Sequence, residues 1–125
     1  MNTRLDPTAL LPTLADIEAA AQVVYRSFQA TPQYRWGTLS QRLGADCWVK
    51  HENHTPVGAF KIRGGLTYFD QLQRRGELPR EVISATRGNH GQSIGWAARA
   101  HGVACSIVVP QGNSLEKNAA MRALG

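Results

Sequence analysis

The sequence predicts an α/β fold, a partial open parallel sheet with flanking helices. Two observations carry this. Residues 81–85, 92–100 and 104–109 read in turn as a short apolar strand, a helix and a second apolar strand. That is the order of a β-α-β unit, whose strands run parallel through a right-handed crossover. Outside it, apolar residues recur at helical spacing in two further stretches, each giving a helix with one apolar stripe. A length of 125 residues with 42% hydrophobic content fits one domain with a modest core.

Residues 1–12 carry Pro7 and Pro12 without periodicity, an irregular arm. Thr13 with Asp16 three residues on forms a capping-box pattern. Leu14, Ile17, Ala21, Val24 and Phe28 then keep helical spacing, so a helix is expected to run to about Ala30. Thr31-Pro32 ends it, because the residue before proline is pushed away from helical angles, and a loop follows. Residues 39–43 suit a short helix stopped by Gly44, and residues 46–52 a strand of mixed alternation. Glu52, at the end of that strand, suits either proton transfer or an orienting, surface role. Ile62, Leu66, Phe69 and Leu72 mark an amphipathic helix closing near Arg75-Gly76, with cations in the last turn where the helix dipole favours them. Within the β-α-β unit, residues 86–91 form a polar loop and His101-Gly102 stops the helix. Asn113-Ser114-Leu115-Glu116 reads as a helix cap, with a short helix to residue 124.

The 14 Lys and Arg exceed the 9 Asp and Glu, for a net charge of +5. No basic run accompanies that excess, and residues 63–69 lack the aromatic third position of an RNA-recognition octamer, so no nucleic-acid partner is expected. Cys47 and Cys105 lie outside any C-x-x-C arrangement, in apolar stretches, and read as packing residues. His51 and His54 have no third ligand nearby, and no metal is expected. No stretch approaches the length needed to cross a bilayer and the N-terminus lacks a signal pattern; a cytoplasmic protein without a membrane partner is expected.

Chemistry concentrates in two places. The stretch Val57-Gly58-Ala59-Phe60-Lys61-Ile62-Arg63-Gly64-Gly65 presents a lysine at a glycine-bounded turn that leads into a helix. Unpaired backbone N–H groups at a helix start disfavour an ammonium, which helps a lysine used as an amine nucleophile. The same position also suits a solvated surface lysine. The second place is the loop after the strand at 81–85, where open α/β sheets put ligands and where the next helix start offers N–H groups to an anion such as an amino-acid carboxylate. Thr86, Gly88, Asn89, His90 and Gln92 are the candidates there. Each also has a local use: Gly88 and Gly91 for unusual backbone angles, Asn89 and His90 for closing a turn, Gln92 for covering the helix start.

Gly58-Ala59-Phe60-Lys61-Ile62-Arg63-Gly64, followed by Ser84-Ala85-Thr86-Arg87-Gly88-Asn89-His90-Gly91-Gln92, resembles the paired signature of threonine dehydratases and their fold-type II relatives of the tryptophan synthase beta-like family, which use pyridoxal 5′-phosphate (PLP). Lys50-His51-Glu52 matches the Lys-x-Glu pattern that ends a strand in that family. The resemblance implies that Lys61 holds PLP as a Schiff base and serves as the catalytic base, that Phe60 packs near the cofactor, and that Asn89 bonds its ring hydroxyl. It implies that Thr86, Arg87, Gly88, Asn89, His90 and Gln92 surround the carboxylate of an amino-acid substrate. The reaction implied is that of an ammonia-lyase: a 3-hydroxy amino acid, threonine or serine by default, loses its β-hydroxyl and becomes a 2-oxo acid and ammonia.

Arg87 departs from the pattern. Many relatives carry a small residue there, and serine racemases a serine that acts as a second acid or base. A guanidinium stays protonated and does not exchange protons in that way. It points away from amino-acid racemisation, leaves β-elimination intact, and either strengthens carboxylate binding or selects an acidic substrate such as a hydroxyaspartate. The resemblance covers residue 31 onward and well under half of the family's catalytic region, with the phosphate-binding glycine loop and the partner of the pyridine nitrogen expected beyond Gly125. It implies residues 1–45 as an arm and helix of the large domain and residues 46–125 as a truncated βαβ portion of the small one. An N-terminal fragment is therefore expected, homo-oligomeric in its full-length form; the other reading is a catalytically inactive chain that folds partly or associates with others.

Overall fold

The first helix begins where its orphan N–H groups find partners. Asp16 N donates to Thr13 Oγ1 at 3.2 Å and Thr13 N donates to Asp16 Oδ2 at 2.8 Å, a reciprocal box that starts α1 (Leu14–Tyr25). The computed structural model describes residues 11–125, so the first ten residues of the expected arm lie outside the described residues. α1 ends at Tyr25, short of the expected Ala30. The Val24 carbonyl accepts from Ser27 N and Phe28 N at 2.9 and 3.3 Å and turns the chain. Phe28, which fits the helical stripe by spacing, instead stacks under the Arg63 guanidinium, 5.3 Å from ring centroid to Cζ.

Two small sheets follow. β1 (Gln33–Arg35) pairs antiparallel with β2 (Trp48–Lys50), from Gln33↔Lys50 to Arg35↔Trp48. The segment of β1 reads as loop in the sequence because all three of its residues are exposed and none marks an apolar face. Between the strands lies α2 (Gly37–Leu43), stopped by Gly44 in the left-handed region at φ 64°. Buried Ser40 folds the chain back: its hydroxyl donates to Trp36 O at 2.8 Å and accepts from Cys47 N at 2.9 Å. The β1–β2 ladder crosses the expected boundary at residues 45 and 46. The strand expected over residues 46–52 is shorter, because Glu52 already belongs to a 3-10 turn (Glu52–His54).

The second half follows the expected order. α3 (Ile62–Arg75) closes at Gly76, whose left-handed φ of 69° lets its N–H reach the Gln73 and Leu72 carbonyls. β3 (Glu81–Ala85) runs parallel to β4 (Ala104–Val108), from Glu81↔Ala104 to Ala85↔Val108. α4 (Asn89–Ala100) joins them, and α5 (Leu115–Arg122) starts at Ser114, whose hydroxyl accepts from Lys117 N at 3.3 Å. α4 begins three residues before the expected Gln92, so Asn89 and His90 sit in its first turn and not in a loop. The core lies where Phe69 of α3 meets Ala97 and Ala98 of α4 and Val103, with Leu78, Val82, Ile94 and Cys105 packed around them. Burial pushes the Cys105 thiol's pKa up, as suits a packing residue. No helix among the described residues is long and apolar enough to cross a membrane.

One polar network ties the first half to α3. Arg63 grips Glu52 with two bonds, Nε to Oε2 at 2.7 Å and Nη2 to Oε1 at 2.9 Å. Buried Thr31 adds its hydroxyl to Oε1 at 2.6 Å, and Lys50 Nζ holds the Thr31 carbonyl at 3.2 Å. Both charged side chains are mostly shielded, so each depends on the other for solvation. Glu52 is thus an orienting carboxylate, held below its usual pKa by the Arg63 hydrogen bonds, with a smaller contribution from Thr31.

Two outcomes follow from this packing. Phe69→Ala should cost about 3–5 kcal/mol in denaturant unfolding, the usual loss for a large core aromatic; a loss below about 1 kcal/mol would place the core elsewhere. Glu52 is depressed below its ordinary value of 4.5, so its contribution is complete above that pH and is lost as pH falls through the lower folded-state value. Glu52→Gln should therefore cost about 2 kcal/mol at neutral pH and flatten the acid limb of a stability-against-pH curve. An unchanged acid limb would remove Glu52 from the account.

Candidate active site

Lys61 leaves a stapled turn and enters a helix. Thr55 is buried, and its hydroxyl both donates to Ala59 O and accepts from Ala59 N, each at 2.9 Å. The Thr55 carbonyl accepts from Gly58 N at 2.9 Å, and Gly58 takes a left-handed φ of 65° that a side chain would strain. Phe60 and Lys61 follow directly. Lys61 occupies the N-cap of α3 with its side chain exposed. Its carbonyl accepts twice, from Ser93 Oγ at 2.5 Å and from Gly65 N at 3.3 Å.

An open cleft of about 620 Å³ runs along this edge, lined by Phe60, Lys61, Tyr68, Ile83, Ser84 and His90 among others. Its walls are apolar and bare: Phe60 is 62% and Ile83 74% exposed. The structure thus brings Phe60, Lys61 and His90 to one cleft, while Thr86, Arg87, Gly88, Asn89 and Gln92 do not line it. Those five sit at the junction of β3 and α4. Thr86 Oγ1 accepts from Gly88 N at 3.2 Å, and the Arg87 carbonyl accepts from Asn113 Nδ2 at 3.2 Å, leaving the Arg87 side chain exposed. Gly88 is buried against Lys117, where a Cβ would come within 2.6 Å of Lys117 Cδ. Asn89 is exposed at the head of α4 and Gln92 is half-buried. A Cβ on Gly91 would lie 2.6 Å from Thr86 Cγ2 and 3.2 Å from Ile107 Cγ2, so its bareness seats α4 on the sheet.

The first bond of α4 runs from Gln92 N to Gly88 O at 3.0 Å, which turns the earlier N–H groups toward the open end of the helix, an electropositive place for a carboxylate or phosphate. With an exposed primary amine for an aldehyde and a bare aromatic ring beside it, the residues present suit a pyridoxal cofactor. Thr55 and Ser93 escape notice in the sequence. The one available signal is spacing: Ser93 lies four residues after Asn89, on the same face of the helix.

Comparison with known proteins agrees with this reading. The family profile described as pyridoxal-phosphate dependent enzyme matches residues 24–125. The biosynthetic L-threonine dehydratase IlvA of Haemophilus influenzae is 36% identical over 102 residues, covering 82% of this chain and 20% of that protein. Human serine racemase is 35% identical over 118 residues, covering 90% of this chain and 34% of the racemase. In structure, the processed form of threonine deaminase isoform 2 from Solanum lycopersicum superposes with a TM-score of 0.74 at 34% identity, over 98% of this chain and 33% of the deaminase. The chain thus spans from a fifth to about a third of the length of these relatives. By that profile and that shared fold, the chain belongs to the pyridoxal-phosphate-dependent enzymes of fold type II, whose cofactor is PLP.

Proposed function

We propose that the protein serves as a PLP-dependent ammonia-lyase of the threonine and serine dehydratase type, which converts a 3-hydroxy amino acid to a 2-oxo acid and ammonia. The observation that carries this reading is the Lys61 amine standing in one cleft with Phe60 and His90, beside the head of α4. When bound, PLP supplies an electron sink for the pair left behind as a proton leaves the substrate Cα. Lys61 would hold the cofactor through Nζ and, with that nitrogen free, would accept the substrate Cα proton on it. Phe60 would offer its ring face to the cofactor, and Asn89, exposed at the head of α4, would supply an amide to it. Thr86, Gly88, His90 and Gln92 hold the substrate carboxylate at the α4 N-terminus. The β-hydroxyl and the proton taken from Cα would leave together as water, and a water would then hydrolyse the released enamine to the 2-oxo acid and ammonia.

Arg87 supports elimination over racemisation, since a guanidinium that stays protonated cannot return a proton to the opposite face of Cα. Its exposed side chain, without an ion-pair partner among the described residues, favours as a second reading an acidic 3-hydroxy amino acid such as a hydroxyaspartate.

Borohydride reduction after incubation with PLP, followed by peptide mass mapping, should place the pyridoxyl group on Lys61 in preference to Lys50 and Lys117. Lys61→Ala should lower 2-oxo acid formation from threonine, serine or hydroxyaspartate by at least about a thousandfold. Turnover that survives the substitution would reject the assignment, and the substrate giving the highest kcat/KM decides between the two readings.

A further inference from the structure

Ser93 sits in the middle of α4 with 1% of its surface exposed, yet its hydroxyl is spent on another helix: it donates to the Lys61 carbonyl at 2.5 Å. The contact needs close approach of the two backbones. Gly65 permits it, since a Cβ there would lie 2.7 Å from the Ser93 carbonyl oxygen. The spacing extends the contact in both directions. Lys61, Gly65 and Phe69 recur every four residues along α3, as do Asn89, Ser93 and Ala97 along α4, so each trio shares one face of its helix. Phe69 and Ala97 meet in the core, and Gly65 and Ser93 touch in the middle. Lys61 and Asn89 occupy the remaining, outer step of the same seam.

We propose that Ser93 is a positioning residue for Lys61. Its hydroxyl fixes the peptide plane after Lys61 and so the direction of the Lys61 Cα–Cβ bond, and it sets the lysine against the helix that begins with Asn89. This rests on the reading of Lys61 as the cofactor lysine. A serine here does more than fill space: alanine would keep the packing volume almost unchanged and leave the Lys61 carbonyl with the longer Gly65 bond alone.

The test uses the full chain with PLP, borohydride reduction and mass mapping, scored as the ratio of pyridoxyl on Lys61 to that on Lys50. Ser93→Ala should lower the ratio about tenfold, the factor that one buried hydrogen bond contributes, and weaken the circular dichroism induced in the bound pyridoxal. Gly65→Ala, which pushes the helices apart, should lower it by a separate route. Val103→Ala, which loosens the core without touching the Ser93–Lys61 bond, should leave the ratio within about twofold. A ratio unchanged by Ser93→Ala overturns the proposal, as does an equal fall in Val103→Ala, which would make the effect one of general loosening. No preference for Lys61 in the unaltered chain overturns both this proposal and the lyase assignment, whereas a preference that survives Ser93→Ala overturns this proposal alone.

Discussion

The structure depends on how closely α3 and α4 approach. Helices with ordinary side chains at their contact lie 8–10 Å apart, and a bare Gly65 facing Ser93 lets these two come nearer. At one end of that seam Phe69 is wholly buried against Ala97 and Ala98, a burial that contributes about 1.5–3 kcal/mol. At the other end stand Lys61 and Asn89, both exposed. The apolar end therefore supplies the free energy that orders the polar end. The exposed Lys61 side chain has no hydrogen-bond partner among the described residues, and its backbone is held by the bonds from Ser93 and Gly65, two turns from that core.

Charges play a narrower part. The pairs Arg35–Asp46 and Arg75–Glu77 have both partners well exposed, and such pairs contribute about 0–1 kcal/mol. Glu52 and Arg63 differ in being shielded, doubly bonded and joined by Thr31, so neither tolerates loss of the other. Their place explains their use. Glu52 precedes the turn that carries Phe60 and Lys61 while Arg63 follows it, so the pair closes that turn at its base and the Thr55 hydroxyl closes it within.

The β-α-β unit was legible because its periodicity changes from strand to helix and back within a short span, and because the strands at 81–85 and 104–108 carry enough apolar residues to declare themselves. β1 was not: three exposed residues have no apolar face to reveal, and only β2, met later in the chain, makes them a strand. The end of α1 was hidden for a similar reason. Phe28 fits the helical spacing, and the cation that draws it out of register is on α3. Gly88 and Asn89 look like turn formers, which concealed the true start of α4. Of the candidate site, Lys61, Phe60 and His90 stand in motifs visible in the sequence, and the structure brings them to one cleft. Thr55 and Ser93 were not, because a lone hydroxyl carries no pattern and the carbonyl that Ser93 serves is 32 residues away.

The proposed role of Lys61 sets two demands that pull in opposite directions. To hold a cofactor and then move a proton at Cα, the amine must swing between two positions, which needs free side-chain torsions. To take that proton from one face of the substrate, its swing must start from a fixed point. The structure separates the two demands along the residue itself. The Lys61 carbonyl is held by Ser93 and Gly65, and the turn before it is stapled by Thr55, while the side chain beyond Cβ runs exposed into the cleft. A buried lysine would gain rigidity at the cost of the swing, and a lysine on an ordinary loop would keep the swing and lose the pivot. An N-cap position on a clamped helix gives a rigid Cα and a mobile Nζ together, which is why the clamp acts on the backbone and no described residue grips the amine.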